Sequence, residues 1–155
     1  MKSNIYRRIM IATDGSENAK KAVSSGLEVA KLSEADVYAV HVMPTDSFSS
    51  ISDDPRMPPW EELYEALKEE GEDIIGYVEQ EGKDAGVRVE SVLLEGDPAH
   101  EILEFAENNL IDLIVLGTMG VVVDTFGTGA IERFLLGGVA ENVVRHSKVQ
   151  VLVVR

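Results

Sequence analysis

The side chains able to do chemistry stand where apolar runs stop. Asp14 follows residues 9–13, Glu95 follows residues 87–94, and a glycine-rich stretch opens at Gly117-Thr118-Met119-Gly120 and closes at Gly137-Gly138. Residues 117–138 hold six of the 13 glycines. Glycines let backbone amides approach a phosphate closely, and free amides at a helix start carry partial positive charge. An anion cradle is one reading of that stretch; a surface loop whose glycines only serve turns is the other. It is not a Walker loop, because nothing matches G-x-x-x-x-G-K-[ST], and the turn after the first run lacks G-x-G-x-x-G.

Other chemistries find less support. On its own, Asp14 reads as a turn or helix-cap carboxylate. His41 sits between apolar neighbours and reads as a satisfied core histidine. His100 and His146 fall on helical stretches, with no second His at metal-ligand spacing. The chain has no cysteine, which removes disulfides, thiolate metal sites and Cys nucleophiles together. No general base or nucleophile stands out, so no catalytic residue is assigned and at most slow hydrolysis is expected.

The elements that must position these residues alternate in period. Apolar runs at residues 9–13, 37–43, 87–94, 112–116 and 149–154 read as strands, most of them apolar on both faces. Between the first two, Ser16 can cap a helix whose apolar positions Ala19, Ala22, Val23, Leu27 and Ala30 recur every three or four residues. Asp97-Pro98 marks another helix start, a capping oxygen before a proline, with Ile102, Leu103, Phe105 and Ala106 as its inner stripe. Residues 138–146 read as the last helix, with Val139, Ala140, Val143 and Val144 on one side. This alternation predicts an α/β fold, a doubly wound five-stranded parallel sheet with helices on both faces. In such a sheet ligands bind beyond the carboxyl ends of the strands, near the point where strand order reverses.

Two segments interrupt the simple pattern. Residues 44–59 carry four of the five prolines and several serines and read as a mobile loop. A long acidic helix over residues 60–83 follows, with Trp60, Leu63, Leu67, Ile74, Ile75 and Val78 as its buried stripe. Gly71 and Gly76 each weaken it by about 1 kcal/mol relative to alanine, which leaves room for a kink.

Composition sets the outer bounds. At 155 residues the chain is one domain by size, with 14 basic against 28 acidic side chains and a net charge of −14. A field of that sign disfavours nucleic acid and anionic membranes as partners. No apolar run approaches the ~18 residues of a membrane span. With no signal-like segment after the N-terminus, the expectation is a cytoplasmic protein.

Taken in order along the whole chain, Ala12-Thr13-Asp14-Gly15-Ser16, then His41-Val42, then Asp112-Leu113-Ile114-Val115-Leu116-Gly117-Thr118, then Leu135-Leu136-Gly137-Gly138-Val139-Ala140-Glu141-Asn142-Val143-Val144 and a final apolar strand resemble the universal stress protein family. The resemblance implies a single universal stress protein domain over residues 1–155. It also implies a Rossmann-like (adenine nucleotide alpha hydrolase-like) fold and an ATP-binding role in stress response. The nucleotide-binding branch carries Gly, two residues, Gly, nine residues, then Gly with Ser or Thr. Gly117 and Gly120 satisfy the first part, but the glycine separated from Gly137 by nine residues is Gly127, so residues 121–127 look inserted. Gly138 also stands where the pattern has Ser or Thr, which loses a hydroxyl but keeps the backbone amides.

Carried over residue by residue, the resemblance lays Ala12, Thr13 and Asp14 along the adenosine, with Asp14 near the ribose or a metal. It offers the backbone of Val42 to the adenine edge. Around the ribose and phosphates it wraps Gly117, Gly120 or Gly127, Gly137, Gly138 and Val139. The chain's negative charge implies that ATP comes with a divalent cation, magnesium or manganese. The alternative is a nucleotide-free module for dimerisation and partner contact, in which Val121, Val122 and Val123 close the pocket or form an interface. A homodimer through residues 149–154 is expected in either case. That strand is apolar on both faces, no later helix follows to cover it, and members of the family commonly dimerise through it.

Overall fold

Five apolar runs form the strands β1 (Arg8–Ala12), β2 (Asp36–Met43), β3 (Val89–Glu95), β4 (Leu113–Gly117) and β5 (Gln150–Val154). The structure, a computed structural model, describes residues 5–46, 55–56, 58–118 and 138–155. All the strand pairs are parallel, in the order β3-β2-β1-β4-β5. Strand order therefore reverses between β1 and β4, which places the switch point at the ends of these two strands.

Among the described residues the sheet is covered by α1 (Glu17–Ser33), α2 (Trp60–Ala85), α3 (Pro98–Asn108) and α4 (Gly138–His146). On one face Ile9, Ile11, Val37, Ala39 and Val115 meet Ala22, Val23 and Leu27 of α1 and Val78 of α2. On the other, Met10, Val40, Val42, Ile114 and Leu116 meet Ile102 and Ala106 of α3 and Ala140 and Val143 of α4. Neighbouring residues of one strand thus enter opposite cores, as the period of two requires. The central strands β1 and β4 are buried along nearly their whole length, whereas β3 and β5 form half-buried edges.

The expected elements are all present, with informative shifts. β3 begins at Val89 rather than residue 87 because the Val87 N–H turns back to the Gly82 carbonyl at 2.8 Å. With Gly86 at φ +73° that bond ends α2, so Val87 belongs to the helix exit. The long helix is continuous from Trp60 to Ala85, and its fully buried positions are Gly71, Val78 and Gly82. A Cβ on Gly71 would lie 2.7 Å from Leu93 Cδ1, and one on Gly82 would run into Val89. These glycines bring the helix down onto the sheet, and that close approach offsets their low propensity. On α4 the expected apolar side is narrower than its sequence. Ala140 and Val143 are buried, while Val139 and Val144, which flank them around the helix, are exposed.

Candidate functional site

At the carboxyl end of β1 the backbone leaves the sheet through a turn held by side chains. The Thr13 hydroxyl accepts the Gly15 N–H at 3.1 Å, and the Asp14 carboxylate accepts the Ser16 N–H at 2.9 Å. Ser16 then caps α1 by accepting the Ala19 N–H at 3.1 Å. Gly15 sits at φ +80°, and a Cβ there would meet Ile74 of α2 at 2.8 Å, so both conformation and space call for glycine. Asp14 accordingly does serve as a turn carboxylate, and it also faces the cleft described below.

β2 treats its two neighbours differently. Alternate residues of a parallel strand direct N–H and C=O to the same side. The Gly96 N–H bonds the Met43 carbonyl at 3.0 Å, so His41 and Met43 face β3, while Val40 and Val42 face β1. Toward β1 the last bond is Thr13 N–H to the Val40 carbonyl at 3.0 Å, and the register ends at Ala12 opposite Val40. The next rung would join Val42 N–H to the Thr13 carbonyl and Gly15 N–H to the Val42 carbonyl. Neither bond forms. Val42 therefore turns a donor and an acceptor together into the space beyond β1.

The Thr13 carbonyl is taken instead by His41, whose Nδ1 lies 2.8 Å away. A carbonyl only accepts, so Nδ1 carries the proton. His41 is buried and satisfied, as its apolar neighbours in sequence implied.

β4 ends against α1. The Thr118 N–H bonds the Val154 carbonyl at 3.1 Å, and its hydroxyl lies 3.4 Å from Asn18 Oδ1. A Cβ on Gly117 would collide with the Asn18 side chain. The need for glycine at 117 thus comes from a helix side chain lying across the strand end.

These ends surround one cleft of about 530 Å³, well inside the range of small-molecule sites. Ala12, Thr13 and Asp14 form one wall, Val40, His41 and Val42 the floor, and Leu116 and Gly117 the far side. Gly138 and Val139, the first residues of α4, border it, as do Pro98 and Ile102 of α3 and Leu67 and Glu70 of α2. Among the described residues that line it there is no Lys or Arg, whereas Asp14 and Glu70 are acidic.

Of the expected site residues, Ala12, Thr13, Asp14, Val42, Gly117, Gly138 and Val139 come together on this cleft. Gly120, Gly127 and Gly137 lie outside the described residues, as do residues 121–127 with their three valines. Asn18, Leu67, Glu70, Pro98 and Ile102 line the cleft without having been expected. Asn18 could have been found, since the first turn of a helix that follows β1 must sit above the strand ends. Glu95, the other carboxylate at a strand end, does not line the cleft. It accepts a hydrogen bond from Tyr64, and that bond, helped by the carboxylate's charge, holds the phenol above its ordinary pKa.

Comparison with known proteins bears on the family and the fold. The sequence profile described as the Universal stress protein family matches residues 5–155. A universal stress protein of Methanocaldococcus jannaschii is 41% identical over 152 residues, covering 98% of this chain and 84% of that protein. A crystal structure of a universal stress protein in complex with cAMP is similar at a TM-score of 0.67 and 25% identity, covering 97% of both chains. The universal stress protein from Archaeoglobus fulgidus in complex with dAMP aligns at a TM-score of 0.63 and 25% identity, over 97% of this chain and 99% of that one.

Proposed function

This chain belongs to the universal stress protein family, and we propose that it is an ATP-binding member that holds or senses the nucleotide in a cytoplasmic stress response. The observation that carries this reading is the unpaired edge of Val42. A donor and an acceptor side by side on one extended residue complement the adenine edge, where N1 accepts and the N6 amino group donates. The two ligands named for related structures, cAMP and dAMP, share adenine and a phosphate and differ elsewhere.

The rest of the cleft suits the remainder of such a ligand. The first turn of α4 offers backbone N–H groups and the positive end of its dipole to phosphate, with Gly138 placing no side chain between. A cleft lined by Asp14 and Glu70, in a chain of net charge −14, favours ATP accompanied by magnesium or manganese. On this reading Asp14, which lines the cleft, meets the ribose or the cation.

Calorimetric titration with ATP and magnesium tests the reading: heat of binding at micromolar to millimolar ligand is expected, and its absence at millimolar ATP contradicts it. Gly138→Val locates the phosphates. An added Cβ at 138 meets no atom of the described residues within 4 Å, so the fold should tolerate the change while ATP affinity falls at least tenfold.

We further propose a homodimer through β5. This strand is an edge of the sheet, its Leu152 is 36% exposed, and Val144 of the adjoining α4 is 46% exposed. An uncovered apolar edge is satisfied by a second copy about a two-fold axis. Light scattering should give twice the 16.9 kDa chain mass, and Val151→Pro, which removes a donor from the side of β5 turned away from β4, should shift it toward monomer. A monomer at micromolar concentration contradicts the dimer.

A further inference from the structure

The rung that leaves Val42 unpaired is missing because both of its partners are engaged elsewhere. Were the ladder between β1 and β2 to run one step further, the Thr13 carbonyl would accept from Val42 and the Gly15 N–H would donate to it. The first is held by His41 Nδ1 at 2.8 Å and the second by the Thr13 hydroxyl at 3.1 Å. Two independent side-chain bonds thus engage the partners of the same rung at both ends. On its other side β2 stays paired with β3 to its last residue, Met43, opposite Glu95.

The imidazole also has room made for it. Gly71 lies in the buried face of α2, and a Cβ there would come within 3.2 Å of His41 Cδ2. The helix passes over His41 at a residue with no side chain.

We propose that His41 is a positioning residue that sets the base specificity of the cleft. By holding the Thr13 carbonyl away from Val42, it keeps the Val42 N–H free for a ring nitrogen that accepts, and so favours adenine over a purine whose corresponding nitrogen carries a proton. The second half of this statement rests on the reading that an adenine nucleotide occupies the cleft; the first half does not. Without His41 the Thr13 carbonyl is freed to accept, and Val42 pairs with it as the next rung of the ladder. His41 is part of the cleft floor, but the role assigned to it runs through the Thr13 carbonyl.

Two measurements on the full-length protein test it. In nucleotide-free, isotopically labelled protein, amide hydrogen exchange at Val42 should be at least tenfold faster than at Val40, which is paired in the ladder. His41→Leu should slow Val42 toward the Val40 rate. His41→Asn, whose side-chain amide can donate from nearly the same position as Nδ1, should leave Val42 fast. A packing role alone predicts the reverse ranking of these variants, since leucine fills an apolar site better than asparagine. Equal protection of Val42 and Val40 in the unaltered protein overturns the proposal even if His41→Leu fails to fold, and so does unchanged Val42 exchange in a folded His41→Leu.

Affinities for ATP and ITP then address the base. The ATP preference should fall roughly 3- to 10-fold in His41→Leu, the worth of one hydrogen bond, and persist in His41→Asn. A preference unchanged in His41→Leu overturns the specificity role. If the unaltered protein binds neither nucleotide, the ligand reading fails and the specificity role with it, while the exchange pattern still decides whether His41 holds the rung open.

Discussion

The two edges of β2 follow opposite rules. Toward β3 its register runs unbroken from Val37 opposite Val89 to Met43 opposite Glu95, and a further bond joins Gly96 to Met43. Toward β1 the register stops at Val40, although the chain of β1 continues alongside through Thr13 and Asp14. One strand thus carries a closed edge that supports the sheet and an edge that ends early at the switch point. The difference shows where the fold gives up backbone pairing, and the cleft lies there.

Proline substitution breaks the comparison most sharply, because it deletes one N–H and leaves the carbonyl. Met43→Pro removes a donor on the closed edge and a buried side chain, and should cost about 3 kcal/mol or more of stability. Denaturant unfolding reads this as a lowered midpoint. Val42→Pro removes the donor that the ladder does not use. It should cost less than half as much, yet weaken ATP about tenfold by calorimetry. Equal losses of stability at the two positions contradict the asymmetry.

The far side of the cleft sharpens the same contrast between packing and binding. Gly117→Ala drives a Cβ into Asn18, which holds Thr118 and the end of β5, and should cost about 1–3 kcal/mol from overpacking. Thermal unfolding checks this, and no change in melting temperature contradicts the contact. Gly138→Val, whose added Cβ meets none of the described residues, should leave stability alone and act on the ligand.

How much of this was legible in the sequence follows from the physics of each part. Period and turn signals place every strand within two residues, because burial on both faces of a parallel sheet forces continuous apolar runs. The stripe of α1 is equally plain, since Ala19, Ala22, Val23, Leu27 and Ala30 are all buried. Periodicity does not reveal which glycines of α2 are contacts. Gly71 meets His41 and Leu93 while Gly76 meets nothing, although both look like helix breakers. Nor does it find Leu67 and Glu70 at the cleft, because helical spacing fixes a face and not which turns reach beyond the strand ends. The unpaired rung was legible only as a resemblance at Val42. Its cause, a bond between residues 28 apart in the chain, exists only once β1 and β2 are side by side.

The smallest expected effect lies beside the closed edge. Tyr64 bonds Glu95, the last residue of β3, and that bond raises the phenol pKa above its ordinary 10.0. With the folded value raised, the bond's contribution is present below pH 10 and is lost as pH rises through the folded pKa. Tyr64→Phe should leave ATP affinity at neutral pH unchanged, and an absorbance titration of the tyrosines should lose a component above the ordinary 10.0. A changed ATP affinity would join Glu95 to the site after all.

The most direct test of the account is the Val42 amide itself, followed by nuclear magnetic resonance while ATP and magnesium are added to isotopically labelled protein. The account predicts a downfield shift of the Val42 N–H and slowed exchange on saturation, as a new acceptor meets it, with the Met43 N–H on the closed edge little changed. Saturable ATP binding that leaves the Val42 amide unmoved and unprotected would contradict it.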